Sequence, residues 1–181
     1  MTTTYRLIAA LIALSFGAVT LVQSWRTAPD DGLLPEKIRI NLDGSYARYI
    51  GTNALGQQFL IANAQHVEGA RRRYFVTLYL FDTDGALLRS QIDEVPEGSD
   101  KATALAGLEK VKAIRDRHIA DIGPVAYRNI TVRPFQVLHE GVPFGLIAAP
   151  TPSTVGPLGW QISLQPGAIV TFRAPWTGRS G

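Results

Sequence analysis

Residues Tyr74–Phe81, YFVTLYLF, are apolar or aromatic at every position except Thr77. A strand with one wet face alternates between apolar and polar side chains, whereas a strand covered on both faces shows an unbroken apolar run. The stretch is therefore expected to be the central strand of a sheet with material packed on either side. It is preceded by Arg71-Arg72-Arg73, expected to be a charged strand end or a solvated loop. It is followed by Asp82-Thr83-Asp84-Gly85, whose composition makes a tight turn into a partner strand over Leu87–Ile92.

Working outward, the polar stretch with Pro96 and Gly98 ends that pairing, and Ser99 or Asp100 can cap a helix from Lys101 to about Ile119. Ala104, Leu108, Val111 and Ile122 share one face of it, with Leu105 and Ile114 at the flanks, so this stripe should pack on the sheet. Upstream, Ile38, Ile40 and Leu42 alternate with Lys37, Arg39 and Asn41, Asp43-Gly44 supplies a turn, and strands follow over Tyr46–Ile50 and Gln58–Ala62. These three are expected to form a meander. Downstream, Ile130–Leu138 is strand-like but interrupted by Pro134, which donates no ladder bond and marks an edge or bulge. His139-Glu140-Gly141 turns the chain into Val142–Ala148, and Pro166-Gly167 joins Trp160–Gln165 to Ala168–Arg173. Such short connections allow only antiparallel pairing, because a parallel crossover needs about a dozen residues or more. The fold class is α+β: a mainly antiparallel meander sheet with one principal packing helix, in a domain spanning 36–181.

Ahead of that domain, Leu7–Trp25 (LIAALIALSFGAVTLVQSW) carries no charge and is framed by Arg6 and Arg26. A bilayer core needs about 20 apolar helical residues, so 1–26 is expected to be a transmembrane anchor or a signal segment. Tyr5 and Trp25 bracket the run as interfacial anchors do, and its length exceeds the usual signal core of about 7 to 15 residues. The alternative is cleavage before Trp25, with Val22 and Ser24 as the small residues a signal peptidase requires. Residues 27–35, with two prolines, a glycine and Asp30-Asp31, form a linker. The expected location is a single-pass membrane protein with its domain outside the cytoplasm, or a secreted or periplasmic protein after cleavage. Lys and Arg counts do not settle orientation, since Arg26, Lys37 and Arg39 lie beyond the run; the architecture of short leader, apolar run and long domain carries that expectation.

The chain has no cysteine, so there is no disulfide and stability rests on the core. The 150 or so residues after the linker suffice for that. A net charge of +3 with interspersed signs argues against a dedicated nucleic-acid binder. No P-loop, G-x-S-x-G elbow, H-E-x-x-H or GxGxxG motif occurs, and no metal site or cofactor is expected. The three histidines, His66, His118 and His139, sit on different elements. Asp82–Gly85 resembles the opening of a calcium loop only superficially, because the third acid is missing and the glycine falls two residues early.

Three residues stand out as candidates for binding. Arg115 and His118 lie three apart on or beside the packing stripe of the helix, close enough to act together on an anion. Alternatively, Arg115 snorkels from the stripe and His118 caps the last carbonyls. Trp176, in Arg173-Ala174-Pro175-Trp176-Thr177-Gly178, either folds back on the core or stands exposed as a contact residue. The loop Pro150–Gly159, PTPSTVGPLG, is a second contact candidate. Together these point to a noncatalytic binding module of the envelope, with the membrane as one partner and an envelope protein or glycan as the other. The competing expectation is a small hydrolase or transferase whose site combines Arg115, His118, His139 and Glu140.

Overall fold

The structure is a computed structural model that describes residues 34–44, 47–95, 101–151, 159–168 and 170–173, the side chains of 101–105 excepted. The apolar segment Leu7–Trp25, most of the linker, the capping residues Ser99 and Asp100, nearly all of the Pro150–Gly159 loop and the Trp176 tail lie outside the described residues. In chain order the elements are β1 (Ile38–Ile40), β2 (Tyr49–Asn53), β3 (Gln58–Glu68), β4 (Arg71–Phe81), β5 (Leu87–Val95) and α1 (Lys101–Ile122). They continue with β6 (Val125–Tyr127), β7 (Ile130–Val132), β8 (Phe135–His139), β9 (Val142–Pro150), β10 (Trp160–Gln165) and β11 (Thr171–Arg173). The fold is α+β and predominantly antiparallel sheet. Among the described residues no helix is long and apolar enough to cross a membrane.

Five strands form one sheet in the order β5-β4-β3-β2-β6, four form a second in the order β11-β10-β9-β8, and β1 with β7 makes a two-stranded ribbon. The period of two along β4 explains its unbroken apolar run. Phe75, Tyr79 and Phe81 point into a core shared with the second sheet and the ribbon, where they meet Phe135, Phe144, Leu146, Ile38 and Val132. Val76, Leu78 and Leu80 point the other way, into a core closed by α1 through Val111, Ile114, Ile119 and Ile122. The five-stranded sheet is thus the middle layer, with the helix on one face and the remaining strands on the other. Thr77, the one polar residue of the run, is buried and satisfies its hydroxyl by donating to the Ala62 carbonyl at 3.1 Å.

Several sequence expectations need correction. The central strand is β3, with β4 beside it, because β2 and β6 extend the sheet on the far side of β3. Both β3 and β4 run for 11 residues and join through the Gly69-Ala70 turn, so Arg71–Arg73 is a charged strand end; polar residues there hid the strand's length. Of the first meander only the β2–β3 hairpin forms. β1 pairs with β7, Ile38 against Val132 and Ile40 against Ile130, since these two short strands bury the same alternate positions in the same core. Asp43 still closes a local turn with Ala47 through both its amide and its carboxylate, but that turn leads from the ribbon to a different sheet. In α1, Leu108 is exposed, and the face on the sheet runs through half-buried Val111 and Ile114 to buried His118 and Ile122. Among the described side chains the helix meets the sheet from Val111 onward.

Two connections hold the layers in register. Pro134 splits the long strand-like stretch into β7 and β8, and the chain changes sheet there. Gly85, at the β4–β5 turn, sits under β7: its carbonyl accepts the Arg133 amide at 2.8 Å, and a Cβ there would stand 2.6 Å from the Thr131 carbonyl. With φ at +89° the position suits glycine on conformational grounds as well.

Candidate functional site

On the helix face of the middle sheet, His118 is completely buried, and its Nε2 lies 2.7 Å from Asp93 Oδ2 on β5. Arg117 donates to the other oxygen of the same carboxylate at 2.6 Å. His118 therefore caps no carbonyls; it ties the helix to the edge strand. Its Nδ1 is buried with no hydrogen-bond partner. Arg115 is mostly covered, its guanidinium carbon 4.5 Å above the centre of the Tyr49 ring, and its nearest acid contact is Asp116 at 3.7 Å. The two candidates lie on one face, as their spacing indicated, but each has a separate packing partner.

His139 and Glu140 lie across the sheet. Half-buried His139 stands edge-on to Phe75 and Phe144, at the border of the core between the two sheets. Glu140 binds Arg73, which also makes a two-pronged contact with Glu94 at 2.9 and 2.6 Å and lies over the Phe75 ring. These hydrogen bonds hold the Glu94 carboxyl below the usual carboxylate range, the Arg73 bond being the leading cause, and make the Arg73 guanidinium still harder to deprotonate. Arg115 and His118 face the helix layer, whereas His139 and Glu140 face the second sheet. The middle sheet stands between the two pairs, so the four do not assemble into one site.

The Asp82–Gly85 turn is occupied in the same way. Asp82 accepts the amides of Asp84 and Ala86 at 2.9 and 2.8 Å, while Asp84 is bound by Lys37 and Arg133, whose hydrogen bonds lower its proton affinity. Both carboxylates serve the turn and its attachment to the ribbon. Among the described residues no three His, Asp or Glu side chains gather as metal ligands would.

What the structure offers instead is an open groove of about 520 Å³ lined by Leu42, Asp43, Gly44, Arg48, Tyr49 and Tyr127. Tyr127, on edge strand β6, is 46% exposed and Leu42 is 40% exposed, unusual for large apolar groups lying together. Tyr127 stands edge-on to Tyr49 and Phe59, which fixes its ring against the sheet. Close packing of β6 makes this possible: Gly51 of β2 leaves room for the Ala126 carbonyl, which a Cβ would approach to 2.1 Å. Arg48 is held by two bonds to the Gly44 carbonyl, at 3.2 and 2.7 Å, and forms no ion pair among the described residues.

Sequence reasoning missed this groove. β6 is three residues long and follows the Gly123-Pro124 break too closely to show a period, and no spacing rule joins Tyr127 to residues 42–49. Compared with family models, with curated proteins and with solved structures, the chain matches none of them, so the site is read from its own geometry.

Proposed function

We propose that this chain is a noncatalytic binding module, held at a membrane or exported by its 1–26 segment, whose contact surface is the Tyr49–Tyr127 groove. One observation carries the reading. The polar side chains best suited to acid–base or nucleophilic work are divided between the two faces of the middle sheet and engaged in structural pairs, while the groove presents exposed aromatic and guanidinium groups. A catalytic site needs a base, an orienting group and a reacting position within hydrogen-bond reach of one another. A binding site needs a concave surface with apolar lining and a few polar groups, which the groove has. An extracytoplasmic position, with an envelope protein or glycan as partner, is the setting in which the uncharged Leu7–Trp25 run and such a groove act together.

The test is site-directed photo-cross-linking of the full chain in its native membranes. A photoreactive side chain at Leu42 should give discrete adducts, and the same group at Leu88, exposed on β5 outside the groove, should not. Equal yields at both positions would withdraw the groove as the contact surface.

A further inference from the structure

The five-stranded sheet has an unfinished row. β3 runs for 11 residues and β4 pairs with all of them, but on the other side β2 covers only Gln58–Ile61. The residues ahead of β2 close the Asp43–Ala47 turn instead of extending the strand. The Ile50 carbonyl accepts the Arg128 amide at 3.2 Å on the β6 side, so Tyr49 and Gly51 turn their backbone groups to β3, opposite Ile61 and Phe59. Backbone direction alternates along an antiparallel strand. Asn63, Gln65 and Val67 therefore continue the set that Phe59 and Ile61 begin, and their amides and carbonyls point out of the sheet edge into the gap. The Ala62 carbonyl lies the other way, where the Thr77 hydroxyl of β4 reaches it. Among the described residues no hydrogen bond meets the main chain of Asn63, Gln65 or Val67 on the open side. A groove of about 410 Å³ lies against this stretch, lined by Asn63, Ala64, Gln65, Val67, Tyr74 and Gly167.

Unpaired strand edges are ordinarily guarded by charge, proline, a bulge or shortness. The two outer strands of this sheet follow that rule: β5 carries Arg89, Asp93 and Glu94 with a register break beside Phe81, and β6 is three residues long. The open stretch Asn63–Val67 carries neither charge nor proline. An extended peptide laid in line with β2 would supply the missing ladder bonds, as in strand addition to an exposed edge. The lining sets its side chains. On one face of the sheet it meets uncharged Asn63, Gln65 and Val67 beside the Tyr74 ring, where a charged side chain would be desolvated without a counter-ion. On the other face it meets Ala64, which borders the core between the sheets, and Gly167, and these small residues leave room for large apolar ones. The chain's own linker, 27–35, fits poorly, with Asp30-Asp31 and two prolines. We propose that the Asn63–Val67 edge is a strand-addition site for an extended, uncharged peptide of a partner protein, with its bulky side chains turned toward Ala64 and Gly167. The site is separate from the Tyr49–Tyr127 groove, and loss of the Leu42 adducts would leave it standing.

Hydrogen exchange of the full chain in detergent, followed by NMR, tests this with a defined probe, an acetylated and amidated heptapeptide of alternating threonine and valine. In the free chain the Asn63, Gln65 and Val67 amides should exchange fast, and those of Ala64 and His66, which turn toward β4, should be protected. Saturating peptide should slow the first three by about tenfold or more. The same peptide N-methylated throughout, which keeps the side chains but no backbone donor, should have no effect. Gln65→Pro removes an amide that bonds nothing in the sheet, so it should keep the fold and abolish the slowing at Asn63 and Val67. Gln65→Lys, which keeps the amide and cannot fail through backbone strain, should weaken the peptide's effect in the same direction. No slowing by the unmodified peptide at millimolar concentration, or equal slowing by the N-methylated one, would overturn the site. Slow exchange already present in the free chain would assign the edge to another segment of this chain, and slowing that grows with protein concentration would assign it to a second copy; either overturns the partner peptide.

Discussion

Removing the side-chain amide of Gln58 should unfasten the ribbon from the middle sheet. Gln58 begins β3 and is nearly buried, and it acts on β7 as a strand neighbour would. Its Nε2 donates to the Thr131 carbonyl at 2.9 Å, and its Oε1 accepts the Thr131 amide at 2.7 Å. On the opposite side of β7, Thr131 lies across from Arg39 in β1, so the side chain of Gln58 completes pairing that no further strand provides. Each such bond contributes about 1 kcal/mol net, and because Thr131 is exposed, water takes up part of what the side chain releases. Gln58→Ala should therefore lose about 1 to 2 kcal/mol. Gln58→Met, of similar length, should lose nearly as much despite filling the space. Gln58→Glu keeps the acceptor but turns a carboxylate toward the carbonyls of Thr131 and Asp82, so at neutral pH it should be no better. Urea unfolding of the detergent-solubilised full chain measures the differences, and hydrogen exchange should show selective loss of protection at the Thr131 amide. A change under about 0.5 kcal/mol for both Gln58→Ala and Gln58→Met would refute the reasoning, since it would mean that water replaces the amide at no cost.

Three further outcomes are expected. The Tyr79 hydroxyl lies beside Thr77 in the core with no hydrogen bond of acceptable geometry, so Tyr79→Phe should gain about 1 kcal/mol; a loss of that size in thermal unfolding would show the hydroxyl to be bonded. Folding lowers the proton affinities of Glu94 and Asp84, so stability should be full above the ordinary carboxylate range, about pH 4 to 5, and fall as pH drops through their lowered values. Arg73→Gln should flatten the part due to Glu94, and an acid limb of unchanged steepness would show that this pair does not contribute. Finally, if 1–26 is an anchor, protein from native membranes should resist carbonate extraction and retain its original N-terminus; N-terminal sequencing that begins at Trp25 would show cleavage instead.

The parts of this fold that were legible in the sequence are those set by neighbouring residues. The Asp82–Gly85, Glu140-Gly141 and Pro166-Gly167 turns each join antiparallel strands, and the helix ends at Gly123, because turn chemistry and helix breaking act over a few residues. Pairings across the chain were not legible. Ile38 and Ile40 alternate equally well for any partner, and only the shared core selects β7, more than 80 residues on. The candidate site shows the same division. Spacing placed Arg115 and His118 on one helix face, where they are, but their partners, Tyr49 and Asp93, come from β2 and β5 and have no local signature.

The middle sheet also keeps the polar residues on its two faces in separate clusters. Asp93 and Glu94 are adjacent on β5, and strand geometry sends them to opposite faces: Asp93 to His118 and Arg117 under the helix, Glu94 to Arg73 and the β8–β9 hairpin beyond it. Each acid draws its own base to its own side, and the sheet between them is filled with Phe75, Val76, Leu78 and Tyr79. Bringing the two charge clusters together would require breaking the β4–β5 ladder that carries both acids. The groove escapes this constraint because it forms at the opposite edge of the sheet, where β6 is short, and aromatic side chains from β2 and β6 converge beside the turn that follows the ribbon. That edge is where side chains from three separate segments can meet a ligand without any layer having to open.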